Sequence, residues 1–253
     1  MNKVVIYTSL VGHYDELKQP LVIDDNIDYV CFTNDVQDEF IGVWKIINFK
    51  LLSSVNAVNS RLPKILPHEY LSEYEYSVWI DSSSQIVNES FYSIIYDKIS
   101  KGIIFSLPLH PYRNCVYDEI VAAYIWGKIT LKELFDEYTF LKKRNIPEHI
   151  GLCENGLIFR KHNIPIVMKI SSEWWNYYFS RTKRDQFWLC IVFYGFNFIP
   201  DIFFSNGVNL RNSKSIVLHS HLNTENRILF YVKKKYRKYI YYIFKLMKIG
   251  YGE

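Results

Sequence analysis

Six short apolar runs, at residues 3–9, 29–32, 44–47, 77–80, 103–106 and 156–160, constrain this chain more than any other feature. The first, KVVIYTS, is rich in β-branched residues and stops just before Gly12, which reads as a buried strand followed by a loop. Between or after these runs lie segments of helical length, at residues 55–66, 91–100, 115–126, 131–143, 164–179 and 184–194. Strands alternating with helices predict an α/β fold, a mostly parallel sheet covered on both faces.

Composition narrows the class. Only 10 Gly and 8 Pro among 253 residues, with 49% hydrophobic content, exclude collagen-like and low-complexity disordered sequence. Cys31, Cys115, Cys153 and Cys190 are widely spaced, which indicates neither a zinc knuckle nor a disulfide framework. The longest apolar run, residues 187–196, sits between Arg184-Asp185 and Pro200-Asp201 and is too short to span a bilayer, so it predicts a buried core helix. Its flanks and the MNKVVIYTSLVG start lead us to expect a cytoplasmic protein.

Charge is unevenly distributed. Of the 30 Lys and Arg, eight fall within residues 227–248 with no acid among them, leaving 22 bases against 26 acids elsewhere. That basic stretch interleaves Tyr, Ile, Phe, Leu and Met, a pattern suited to an anionic membrane surface, the protein staying peripheral on its inner face. The same pattern describes a packed helix with a solvated basic face. An acidic body without a nucleic-acid motif argues against nucleic acid as partner. We expect one domain over residues 1–223 and a basic amphipathic tail over 224–253.

Five segments carry candidate chemistry. SVWIDSSSQI ends an apolar run in Asp81, and carboxyl ends of strands are where open α/β sheets bind ligands, although Asp81 also suits a capping role. In NSRLPKILPHEYL, Arg61 and Lys64 are three apart, on one face of a helix, as a diphosphate site or an ordinary surface helix would have them. GLCENGLIFRKHN sets Glu154 and Asn155 before a strand. In WWNYYFSRTKRDQFWLC, Arg184, Asp185 and Gln186 open an apolar helix near Trp174 and Trp175, a setting for a sugar ring on an aromatic face or for plain core packing. SIVLHSHL places His219 and His221 on one side of a β-like run, where either completes a metal site with Asp81 or simply forms hydrogen bonds.

In order, VVIYTSLVGHYDEL, DYVCFTN, NSRLPKILPH, YSVWIDSSSQI, HPYRNCVYDE, ENGLIFRKHN and WW with RDQFW resemble the TOD/MUCI glycosyltransferase-like family over residues 4–200. That family includes plant Golgi and bacterial polysaccharide-locus proteins. The resemblance implies a GT-A type fold, a Rossmann-like nucleotide-binding half merged with an acceptor-binding half. It implies transfer of a sugar from a nucleotide-sugar donor, a UDP-sugar foremost, to a saccharide or lipid-linked saccharide acceptor in surface polysaccharide synthesis. By position, Tyr7, Thr8, Ser9 and Tyr14 would hold base and ribose, and Arg61 and Lys64 the diphosphate. Asp81 stands where an Asp-x-Asp signature begins, with Ser83 at the third position. Bound Mn²⁺ or Mg²⁺ would therefore lean on phosphate oxygens, water and His219 or His221. His110, Arg113, Glu154, Asn155, Arg184, Asp185 and Gln186 would surround sugar and acceptor, with Asp185, Gln186 and Glu154 as the catalytic residues; an inverting course would take Asp185 or Glu154 as the base for the acceptor hydroxyl. Asp185-Gln186 is similar to the sugar-binding region of family 8 retaining transferases and favours retention. With Ser83 in place of an acid, a catalytically reduced nucleotide- or saccharide-binding module is the alternative.

Overall fold

The computed structural model describes residues 3–12, 16–220 and 227–249. The chain divides into two compact units, Met1–Tyr112 with Leu152–Leu222, and Arg113–Gly151 with Asn223–Glu253. The first unit holds an eight-stranded mixed sheet. Its strands are β1 (Val4–Ser9), β2 (Ile27–Thr33), β3 (Phe40–Ile41), β4 (Trp44–Asn48), β5 (Tyr76–Ile80), β7 (Phe105–Leu107), β8 (Leu157–Arg160) and β9 (Asp201–Ile202), in the order β3-β4-β2-β1-β5-β8-β7-β9. A separate antiparallel pair joins β6 (Ser84–Ile86) to β10 (Ile216–Leu218).

The expected parallel block is present: β4, β2, β1 and β5 run in one direction, and every residue of β1 is buried, as a central parallel strand requires. The sheet is nevertheless mixed. β8 enters antiparallel between β5 and β7, opposing Leu157 to Ile80, and short β3 turns back on β4. Consequently the carboxyl ends of β1, β5 and β7 and the amino end of β8 share one edge, which brings residues 153–156 beside Asp81. The amide of Asp81 donates to the Gly156 carbonyl at 2.9 Å.

Alternation sorts side chains between the two faces. Val4 and Ile6 of β1 join Val78, Phe159 and α3 (Ser90–Ser100) residues Phe91 and Ile95 in one core. Tyr7 turns to the opposite face. The helices α1 (Asn56–Ile65), α2 (Pro67–Tyr70), α6 (Pro165–Ser180) and α7 (Asp185–Gly195) complete this unit. Helix α7 is the apolar run of the sequence, buried from Phe187 to Phe193. Among the described residues no helix is long and apolar enough to cross a membrane.

In the second unit, α4 (Val116–Ile125) meets both α5 (Leu131–Lys143) and α8 (Arg227–Ile249). Helix α5 opens on a capping box: Thr130 accepts from the Glu133 amide, and Glu133 reaches back to the Thr130 amide.

Candidate active site

The shared strand edge collects charge. Arg61 and Lys64 project from one face of α1, and both reach the Asp185 carboxylate that opens α7. Lys64 Nζ stands 2.7 Å and Arg61 Nε 3.5 Å from Asp185 Oδ2. Lys64 also lies 3.3 Å from Asp81 Oδ1, which accepts from Trp79 Nε1 at 2.8 Å. The Lys64 side chain is 2% exposed and that of Asp81 37%, so the ammonium is fixed inside while the carboxylate meets solvent.

Two carbonyl contacts secure α7. Trp174 Nε1 donates to the Asp185 carbonyl at 3.0 Å, and Asn155 Nδ2 donates to the same oxygen at 3.2 Å. Gln186 Nε2 donates to the Cys153 carbonyl, binding α7 to the loop before β8. Burial alone would raise the Asp185 pKa, but Lys64, Arg61 and Arg184 together hold this carboxyl well below the usual carboxylate range. Asp185 is therefore an anchor for cations and a weak proton acceptor. Arg61 is shifted the other way: burial opposes its charge, and Asp185 and Asp81 more than restore it.

Glu154 differs from Asp185. Burial pushes its pKa up against the pull of Arg211, whose Nη2 lies 3.2 Å from Oε1, while Oε2 is buried without a hydrogen-bond partner. A carboxyl of this kind holds or takes a proton more readily.

Other expected site residues fall at different depths. Tyr7 is fully buried, its hydroxyl accepting from Arg160 Nη2 and donating to the Lys64 carbonyl at 3.4 Å, so it supports α1 from beneath. Thr8 and Ser9 end β1 with buried hydroxyls that lack partners. Trp174 is core, whereas Trp175 stacks on Phe179 and contacts Tyr178. Arg184 precedes α7 with a buried, unpartnered Nε. His110 follows β7, its amide bonded to the Leu152 carbonyl and its Nδ1 accepting from the Tyr112 amide. Arg113 belongs to the second unit, where Nε meets Glu119 at 2.6 Å. Tyr14 and His221 lie outside the described residues.

Among the described residues, the donors expected for Mn²⁺ or Mg²⁺ are in part already engaged by the protein. Asp81 Oδ1 already serves Lys64 and Trp79, Ser83 offers one hydroxyl, and His219 Nε2 pairs with Gln85 Oε1 at 2.9 Å. Among the described residues no group of three or more His, Cys, Asp and Glu side chains is placed to hold a metal. Arg160 is the site-supporting residue that the sequence reading missed. It is completely buried in β8 and donates to the Lys64 carbonyl at 2.6 Å; an arginine inside an apolar strand was the available signal.

Fold and site together define a mixed α/β protein with a cation-and-carboxylate site at the carboxyl edge of its parallel strands. The chain belongs to the TOD1/MUCI70, glycosyltransferase-like domain family, which matches residues 1–210. It is similar to the probable hexosyltransferase MUCI70 of Arabidopsis thaliana, 24% identical over 208 residues, 72% of this chain and 36% of the relative. It is also similar to the alkaline ceramidase TOD1 of Arabidopsis thaliana, 22% identical over 195 residues, 64% of this chain and 42% of the relative. The chain thus spans less than half the length of these curated relatives.

Proposed function

We propose that this protein transfers a sugar from a nucleotide-sugar donor, a UDP-sugar foremost, to a saccharide or lipid-linked saccharide acceptor. The parallel half of the sheet takes the nucleotide in a GT-A type arrangement. The observation that carries this reading is the convergence of Lys64 and Arg61 on Asp185 beside Asp81, in a chain of a glycosyltransferase-like family. Sugar transfer breaks the bond between the anomeric carbon and the diphosphate, so negative charge grows on the leaving oxygen. Cations already held in place stabilise that charge without reorganising. Lys64, Arg61 and Arg184 supply it here, and no step is assigned to a metal.

In this reading Asp185 holds the cations in position and Gln186 fixes the loop carrying Glu154 and Asn155 against the transferred sugar. Retention then needs no strong base, because the departing phosphate accepts the acceptor proton. Inversion needs one, and Glu154 is the suited group. Glu154→Gln therefore decides the course: a product of unchanged anomeric configuration at near-normal rate fits retention, and lost turnover fits inversion. We read the acceptor as one of surface polysaccharide synthesis (O-antigen, capsule or lipooligosaccharide), a reading that the motif resemblance supports, with the protein peripheral at an anionic membrane through its basic helix.

The test is thermal unfolding with nucleoside diphosphates and nucleotide sugars, with and without Mn²⁺, followed by product analysis. A ligand at about a hundred times its dissociation constant adds roughly 2.7 kcal/mol and raises the midpoint by several degrees. A shift for one nucleotide that persists without Mn²⁺, with transfer to an acceptor, is expected. Binding without turnover identifies the nucleotide- or saccharide-binding module. Release of fatty acid from ceramide, with no nucleotide shift, replaces the transferase reading by the activity named in the second relative.

A further inference from the structure

Helix α8 presents two unlike faces. Toward its own unit, Phe230 lies against Trp126 with ring centroids 5.6 Å apart, and Lys234 Nζ sits 3.5 Å from the Trp126 ring centre. Arg237 crosses Gly127, which has a φ of +70° and leaves the guanidinium a place that a Cβ would fill. Away from the unit, Tyr231, Val232, Tyr236, Tyr239 and Tyr242 are all at least 50% exposed, with exposed Lys235 and Lys238 among them. At 100° per residue these seven share the side opposite Phe230 and Arg237. No acid occurs from Arg227 to Ile249.

Beside the helix a groove of about 560 Å³ is lined by Lys128, Thr130, Lys233, Tyr236 and Arg237, with Glu133 its one acid. Glu133 is committed to the Thr130 cap. A tyrosine stripe interleaved with ammonium groups matches the lipid interface, where rings rest at the acyl boundary and phenols and amines stay among headgroups. We propose that the outward face of α8 docks on an anionic phospholipid surface, with Lys235 and Lys238 among the headgroup phosphates; the groove beside Arg237 lies on the inward flank and takes no part. This deepens the membrane part of the proposed function and rests on the helix, not on the donor site.

The full chain is sedimented with vesicles of phosphatidylcholine alone and of phosphatidylcholine with phosphatidylglycerol, at low and high salt. Binding to the mixed vesicles only, weakened by salt, is expected. Replacing Lys235 and Lys238 by Gln should weaken it about fivefold per lysine. Val232→Ser with Tyr239→Ser should weaken it at both salt concentrations. Equal sedimentation with neutral vesicles, or mixed-vesicle binding untouched by both pairs, overturns the proposal. So does displacement by inorganic phosphate at an ionic strength where chloride has no effect, which assigns the basic face to a free anion. Tighter binding to duplex DNA than to mixed vesicles at equal salt overturns it as well. Nucleotide-dependent unfolding shifts of the Lys235→Gln, Lys238→Gln variant should match the parent. Docking by a protein that turns over no donor upholds this inference while removing the transferase reading.

Discussion

Lys64 is the residue on which the site turns. Its ammonium is buried between the Asp185 and Asp81 carboxylates, and its carbonyl is held from below by Arg160 and Tyr7. The pair with Asp185 leaves both side chains 9% exposed or less, so neither charge falls back on water when its partner goes. Removing one member of a buried pair typically costs about 3–5 kcal/mol, because the other remains desolvated. Lys64→Met keeps the helix and most of the side-chain volume, and is expected to lose stability of that order in urea unfolding together with nucleotide binding. A variant with unchanged urea midpoint would show that Asp185 reaches solvent or Arg61 alone satisfies it. Tyr7 illustrates the opposite case. Burial raises its pKa and Arg160 only partly counters this, so the phenol stays neutral and works as a strut beneath α1.

At the scale of elements, much was readable in periodicity. The i, i+3 spacing of Arg61 and Lys64 puts both on one face of α1, and both do reach Asp185. The helical segment at 131–143 and the apolar run of α7 mark their helices to within a residue or two. The two-residue strands β3 and β9 left no trace, since so few residues carry no period, and β6 is hidden in the serine run after Asp81. Nothing local told that β8 would run antiparallel; that depends on pairing across the sheet. Yet this reversal is what carries Glu154 and Asn155 to Asp81. Gly156 marks the join, because a Cβ there would stand 3.0 Å from Leu210 Cδ1 and 3.3 Å from Asp81 Oδ2. Gly156→Ala is expected to cost about 1–2 kcal/mol through crowding and to shift Asp81. Its check is a urea midpoint below the parent with weaker nucleotide binding; full affinity at reduced stability would separate Asp81 from the donor.

Over the whole molecule the sequence divides at residue 223, whereas the structure also sets residues 113–151 with the basic helix in a second unit. Contacts between α4 and α8 bring together segments about a hundred residues apart, and no linker composition announces them. The sheet unit carries its own acid sensitivity. His162 follows β8, is fully buried, and donates through Nε2 to the Leu71 carbonyl at 2.8 Å. Burial pushes its pKa down to about 4, with Arg160 and His68 adding repulsion and the Leu71 contact only partly offsetting them. Above the ordinary histidine value near 6.5 both folded and unfolded forms are neutral, and the group costs nothing. Between about 6.5 and 4 the unfolded chain takes up the proton first, so stability falls with pH by up to about 1.4 kcal/mol per unit. Below about 4 both forms are protonated and this loss levels off. Asp185 adds a second loss at still lower pH, as its depressed carboxyl is finally protonated and lets go of Lys64. Urea unfolding from pH 7 to pH 4 should therefore show a declining midpoint, and His162→Gln, which keeps a donor for Leu71, should flatten that decline. An equal slope in parent and variant would place the acid sensitivity elsewhere.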